Sequence, residues 1–301
     1  MHPVRIAELL LPFLSNRCHS EQGQRPSEEP AVLSESQLQS ISTYIDILQT
    51  WNARINLTAI RNEEEIVTRH FGESLFAATH LFPKVYPVNP VPSVVKGADV
   101  AVGVGVDVAV GVDLEVPEAQ SPKPEARLVD PRFPFYPVSS SVSSVPSVVK
   151  GVGVDLPEGR LADLGSGAGF PGIPIKLWAP KVSMTLIESN QKKATFLKEV
   201  VRALTLTDIN IQNVRAETLP PSTFDVVTLR AVERPSEILP IAAKLVAPNG
   251  RLALLISSSQ IEKTRRALPN LAWAPPIPIP QSESRVLLIG TKEPNKITSG
   301  T

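Results

Sequence analysis

The sequence predicts an α/β fold: a doubly wound, mostly parallel sheet with helices on both faces. Three observations point to it. From residue 160 onward, short apolar runs alternate with amphipathic helical runs, the rhythm of β-α-β units. The stretch RLADLGSGAGFPGIPIKL (160–177) reads as a strand, a glycine turn and a helix, the arrangement that brings a ligand to a helix N-terminus. Acidic residues sit at or just beyond three successive strand ends, Asp163, Glu188 and Glu217, at the edge where such sheets bind ligands.

Before the sheet, residues 1–82 read as a helical layer. Ile6, Leu9, Leu10, Phe13 and Leu14 share a face of a short docking helix, which Pro12 is expected to kink or break. A polar loop follows over 15–33. Ser34 with Gln37 forms a capping box, and Leu38, Ile41, Ile45, Leu48 and Trp51 repeat at helical spacing behind it. NLTAI (56–60) is a connection. Asn62 with Glu65 looks like a second capping box opening a helix to about Leu81.

Residues 83–158 break the pattern. They are rich in Pro, Val and Ser, and VPSVVKG at 91–97 recurs at 145–151. We expect a low-complexity insertion, mostly disordered. Its GVGVDVAVGVD is glycine-rich, but no helical pattern follows, so it is a poor phosphate loop.

The core is expected over 159–301. After the first strand and the helix Ile173–Trp178 come a strand over 182–189, a helix over 191–204 and a strand with its exit over 209–217. A strand over 224–232, a helix over 238–246 ended by PNG, and strands over 251–257 and 284–292 complete it.

Composition narrows the classes. The chain has 301 residues and a formal net charge of zero, so bulk positive charge does not drive nucleic-acid binding and only local patches can. One cysteine, Cys18, forbids an intramolecular disulfide and a zinc-thiolate cluster; no metal is expected, and the cytoplasm is the expected compartment. The N-terminal apolar run is short and interrupted by Glu8, unlike a signal peptide, and no span of about 20 apolar residues predicts a membrane helix.

The glycine turn does not match the dinucleotide fingerprint G-x-G-x-x-G. Its spacing is G-x-G-x-G (Gly165, Gly167, Gly169), and Phe170 stands where the third glycine would fall. A carboxylate at Asp163, facing the ligand, repels a pyrophosphate and suits a cation. S-adenosylmethionine offers an amino group and a sulfonium. Glu188 is placed for ribose hydroxyls, and the next exit, Ala216–Glu217, lies beside an adenine. Each residue has a plainer reading: Asp163 caps the following turn, Glu217 caps a helix or is solvated, and Arg230 pairs with Glu233 or Glu237.

DLGSGAGFPGIP, LIESNQKKATFLKEVV, RAE and FDVVTLRAV, with WNARINLTAIRNEEEIVTRHFGESL at 51–75, resemble class I methyltransferases of the RsmG (GidB) type. The resemblance covers roughly 34–82 and 160–292. It implies a Rossmann-like class I methyltransferase fold, S-adenosyl-L-methionine as cofactor, and transfer of methyl to N7 of a guanine in 16S ribosomal RNA, free or in the small ribosomal subunit. It implies cofactor contacts at Gly165, Phe170, Ala216, Glu217 and Arg230. Three departures stand out: the insertion, Gly72 and Glu73 where the family more often has an aliphatic residue and Asp, and Ser257–Ser259 where it often has Lys-Gly.

Guanine N7 carries a free lone pair, so a site without a general base suits it; Cys18 is badly placed as a nucleophile, and no Asp/Asn-Pro-Pro-aromatic loop follows the fourth strand. No catalytic residue is evident, and Arg230 is the candidate for positioning cofactor or RNA. Lys192, Lys193, Lys198, Arg202, Lys263, Arg265, Arg266, Arg54, Arg61 and Arg69 are candidate RNA contacts or solvated charges. His70 reads as a packed, hydrogen-bonded residue rather than a base, and Trp51 and Trp178 as packing residues. The competing readings are a methyltransferase for another RNA, a small molecule or a protein, a nicotinamide oxidoreductase, and a non-catalytic interaction protein.

Overall fold

Strand β1 (Arg160–Leu164) runs down the middle of an eight-stranded sheet in the order β3-β2-β1-β4-β5-β8-β6, with β7 paired to β8. This computed structural model describes residues 1–15, 32–83, 159–230 and 235–294. Strands β2 (Ser183–Ile187), β3 (Ile209–Gln212), β4 (Phe224–Arg230) and β5 (Val246–Ser257) are parallel to β1. Strand β8 (Arg285–Lys292) lies antiparallel to β5 and carries β6 (Leu271–Trp273) and β7 (Ile277–Pro278) antiparallel to itself. The chain steps outward to β2 and β3 on one side of β1 and to β4 and β5 on the other, so the crevice beyond the β1 and β4 ends is where the fold offers a binding site.

The helical layer forms as its caps dictate. Helix α1 (Pro3–Leu14) buries Ile6, Leu10, Phe13 and Leu14 and continues through Pro12. The expected break is absent because the proline sits in the last turns, where the carbonyl it leaves without a partner, that of Glu8, lies on the exposed face. Helix α2 (Glu35–Ile55) starts in the Ser34–Gln37 capping box, with both reciprocal bonds made. Asn62 Oδ1 accepts the Glu65 N–H and opens α3 (Glu63–Glu65). The same helical path then widens to a π-helical stretch, Ile66–Gly72, before α4 (Glu73–Leu81).

Packing makes this layer part of the core. Side chains of β1 alternate between two faces. Leu161 packs in one cluster with Ile41, Tyr44, Ile45 and Leu48 of α2, Phe71 and Leu75, while Ala162 and Leu164 join another with Leu239 and Leu245 of α7 (Pro235–Leu245). The helices and the sheet thus share one hydrophobic cluster, and the described residues fall in one compact unit, Met1–Tyr86 with Val154–Thr301. The insertion expected over 83–158 lies, from residue 84, outside the described residues, as do Cys18 and most of the 15–33 loop.

Two short helices after β1 and β2 complete the approach to the site: α5 (Gly172–Trp178) and α6 (Gln191–Ala203), the latter capped by Asn190. The stretch PNG lies inside β5 rather than ending the helix, at a register shift against β4. Helix α8 (Ile261–Ala267), β6 and β7 were not expected from the sequence. Trp178 is buried and donates to the Phe82 carbonyl, and Trp51 packs edge-on against Phe196, so both tryptophans are packing residues.

Candidate functional site

Leu164, Ile187 and Gln212 are in register across β1, β2 and β3, so the three exits open side by side. The turn after β1 divides its glycines between two tasks. Gly165 and Gly167 have φ of +69° and +56°, and a Cβ at Gly165 would meet nothing within 4 Å. This is backbone left bare toward open space, in a conformation that L side chains avoid. Gly169, at φ +83°, faces inward, where a Cβ would strike the Tyr44 hydroxyl and Ile173.

Asp163 requires a correction. It was expected to face a ligand, yet its carboxylate is 1% exposed. It belongs to the β1 face that looks toward α5, so it points beneath that helix. There Oδ2 accepts the Gly172 N–H at 3.2 Å and Oδ1 accepts the Thr228 hydroxyl at 2.9 Å. Burial pushes its pKa up to about 6, against the lowering effect of these donors. The plainer reading had it capping the following turn; its backbone partner is instead the first residue of α5.

Glu188 braces the turn. Oε2 accepts the Gly167 N–H at 2.9 Å and Oε1 accepts the Asn190 N–H at 2.7 Å, while each oxygen keeps a second acceptor direction. Beyond β3, Ala216 is buried and Glu217 exposed at the start of a single 3-10 turn, Ala216–Thr218.

Phe170 is enclosed. Tyr44 stacks on one face (centroids 5.3 Å apart, 6° between planes) and His70 on the other (4.7 Å, 17°), with Phe71 edge-on at 5.1 Å. Tyr44 also donates its hydroxyl to the Ala168 carbonyl within the turn. Both ring faces being covered, Phe170 can reach a ligand through its backbone or ring edge, not by stacking.

Arg230 ends β4 and turns back onto the helical layer. Its Nη1 lies 2.6 Å from His70 Nδ1, and Nη2 donates to the Arg69 carbonyl at 2.6 Å and to Glu73 Oε2 at 3.1 Å. Glu73, not among the partners expected from the sequence, forms an ion pair with it; Glu233, one of those expected, lies outside the described residues. Glu73 is 1% exposed and also meets Arg69 at 3.2 Å and Arg285 at 3.0 Å. A carboxylate this deeply buried is tolerated only because guanidinium groups surround it. His70 is likewise buried, and desolvation together with Arg230 lowers its pKa to about 3.

The structure therefore brings Asp163, Gly165, Gly167, Phe170 and Glu188 together around one turn, sets Ala216 and Glu217 at the β3 exit, and links Arg230 to the turn through His70. Sequence reasoning missed Tyr44, Glu73 as an ion-pair centre, and Arg285. Tyr44 did carry a signal: it lies three residues after Ile41 and four before Leu48, on the buried face of α2. Ser257 spends its hydroxyl and N–H on a capping box with Gln260 after β5. Of the basic candidates, Lys192, Lys198, Arg202, Arg54, Arg61, Arg69, Lys263 and Arg266 are exposed, and Lys193 and Arg265 half-buried. Among the described residues, there is no group of acidic, His or Cys side chains that could hold a metal, and no helix long and apolar enough to cross a membrane.

A mostly parallel sheet of this order, with a bare glycine turn after β1 and a carboxylate beyond β2, defines an α/β protein of the class I methyltransferase type. The chain belongs to the GidB family, rRNA small subunit methyltransferase G, whose family model matches residues 37–88 and 146–270. Among its relatives, a Roseiflexus castenholzii protein named ribosomal RNA small subunit methyltransferase G is 28% identical over 272 residues, covering 86% of this chain and 85% of its own. A Chloroflexus aggregans protein of the same name is 29% identical over 276 residues, covering 86% and 84%. A Mycoplasma capricolum subsp. capricolum protein, also so named, reaches 48% over 98 residues, 32% of this chain and 42% of its own.

Proposed function

We propose that the protein transfers a methyl group from S-adenosylmethionine to N7 of a guanine in 16S ribosomal RNA, in the cytoplasm. The observation that carries this reading is the bare, left-handed backbone of Gly165 and Gly167 in a chain of this family: a cofactor can approach there as close as main-chain contact. The cofactor, when bound, supplies an electrophilic methyl on a sulfonium.

Gly165, Gly167 and the backbone of Phe170 would hold the methionine end, Glu188 the ribose, and Ala216 and Glu217 the adenine. Asp163 contributes by fixing the start of α5. Arg230 orients cofactor or acceptor from the end of β4. The chain's main task is alignment for in-line displacement. Among the described residues, the histidine against this site, His70, is held neutral with both ring nitrogens engaged, so it is not a proton acceptor. That suits an acceptor nitrogen with a lone pair and no proton to lose.

RNA would be gripped by local groups such as Lys192, Lys198, Arg54 and Arg61, exposed on α2, α6 and the 56–62 connection. The guanine would be unpaired or flipped out, since the major groove of duplex RNA is too narrow for side chains. We divide the chain into a helical lead-in (1–82), an insertion (83–158) and a cofactor-binding core (159–301). Mapping N7-methylguanine in ribosomal RNA from a strain lacking the gene tests the function: loss of one methylated guanine in 16S RNA is expected, and an unchanged pattern refutes it.

A further inference from the structure

We propose that His70 is a positioning residue for methyl transfer, one ring doing two separable jobs: its Nδ1 holds the Arg230 guanidinium and its face braces Phe170 of the cofactor turn. The proposal rests on the reading of this site as a methyl-transfer site.

The tautomer is set by the partners. Arginine has only donors, so His70 Nδ1, 2.6 Å from Arg230 Nη1, accepts. The ring proton is then on Nε2, which donates to Thr58 Oγ1 at 2.8 Å. Thr58 is itself pinned from α2: its N–H donates to Asn52 Oδ1, and Asn52 Nδ2 donates to the Thr58 carbonyl, both at 3.0 Å. A continuous chain of bonds thus runs from α2 through Thr58 and His70 to the end of β4.

The ring face carries the second job. With centroids 4.7 Å apart and 17° between planes, His70 closes the side of Phe170 that Tyr44 leaves open. His70 lies in the π-helical stretch Ile66–Gly72, a local widening of the kind found at functional positions. Its neighbours Arg69 and Glu73 supply the remaining anchors of Arg230, through the Arg69 carbonyl and the Glu73 carboxylate. The arginine of the sheet is therefore aimed from the helical layer, and the same layer sets the turn.

Two substitutions separate the jobs. His70→Phe keeps a ring on Phe170 and removes the acceptor; His70→Asn keeps an acceptor near Nδ1 and removes the ring. Binding of S-adenosylhomocysteine by calorimetry reads the turn, and single-turnover methylation of small ribosomal subunits at saturating cofactor reads Arg230. For His70→Phe we expect affinity within about twofold of the unsubstituted protein and a rate at least about tenfold lower. For His70→Asn we expect affinity about fivefold or more weaker and a rate above that of His70→Phe. Equal proportional losses in affinity and rate in both variants, or an undiminished rate in His70→Phe, would overturn the proposal.

Should either variant fail to fold, Thr58→Val serves in its place, with the rate reduced and affinity retained; an unchanged rate counts against the proposal. Nitrogen-15 spectra of the histidine side chains provide an arm independent of activity: His70 protonated on Nε2 supports the network, and protonation on Nδ1 refutes it. If the unsubstituted protein methylates no small subunit, the functional reading fails, while calorimetry and the spectra still report on the turn and the tautomer.

Discussion

The carboxylate of Glu73, 1% exposed, lies 3.1 Å from the guanidinium of Arg230, joining the helical layer to the end of β4. Arg285 and Arg69 crowd the same carboxylate. Removing one member of a buried ion cluster leaves the others desolvated and unpaired, which costs about 3–5 kcal/mol. Glu73→Gln is therefore expected to lower unfolding free energy in urea by that amount. In a double-mutant cycle, Glu73→Gln and Arg230→Gln should couple strongly; additive effects would show that the pair stands apart from the network.

The same substitution at two glycines of one turn should have opposite consequences. Gly165→Ala places its methyl in open space and bears only the left-handed strain of about 1 kcal/mol. We expect a folded protein whose affinity for S-adenosylhomocysteine falls at least about tenfold by calorimetry. Gly169→Ala drives its methyl into Tyr44, Ile173 and Leu197, and such overpacking adds about 1–3 kcal/mol to the strain. A thermal melt well below that of Gly165→Ala is the expected outcome.

Tyr44→Phe isolates the hydroxyl from the ring. The stack on Phe170 survives, but the buried Ala168 carbonyl loses its donor, a loss of about 1–3 kcal/mol. Stability should fall by that much in urea, and cofactor affinity should weaken because the carbonyl lies within the turn.

His70 and Asp163 give opposing pH dependences. His70, with its pKa lowered to about 3 in the fold, binds fewer protons folded than unfolded. Its contribution is present above the ordinary histidine value of about 6.5 and is lost as pH falls below it. Asp163, raised to about 6, binds more protons folded than unfolded, so its contribution is greatest at low pH and is lost as pH rises from about 4 through 6. Each amounts to a few kcal/mol at most. In urea titrations from about pH 4 to 7, the unsubstituted protein should gain stability relative to His70→Phe as pH rises and lose it relative to Asp163→Asn. Parallel curves would contradict the assignment.

Deleting residues 86–156 should leave cofactor binding intact, as measured by calorimetry with S-adenosylhomocysteine. A deletion variant that fails to fold would give the insertion a structural role instead.

Much of this architecture is legible because its signals are local. The strand-turn-helix of 160–178 announces itself through alternation and glycine, and Ser34 and Asn62 cap the helices they precede. The features that escaped are long-range. No spacing links Glu73 to Arg230 and Arg285, or Tyr44 to a phenylalanine far along the chain. Asp163 was misread in direction because an acidic residue at a strand end looks the same from the sequence whether it points off the edge or beneath the next helix. Helix α8 and strands β6 and β7, of seven, three and two residues, are too short to show a period.

The shared core also has a consequence for synthesis. Ile41, Ile45 and Leu48 share their hydrophobic cluster with Leu161, Leu186 and Phe196, which leave the ribosome only after everything between has been made, at about 5–20 residues per second. For those seconds the nascent helices have only one another to pack against, and the apolar surface they share with the sheet and α6 in the finished fold stands open to chaperones or proteases. Stalled chains ending before residue 160 should be cut readily within residues 32–82, and chains extended past residue 204 should resist.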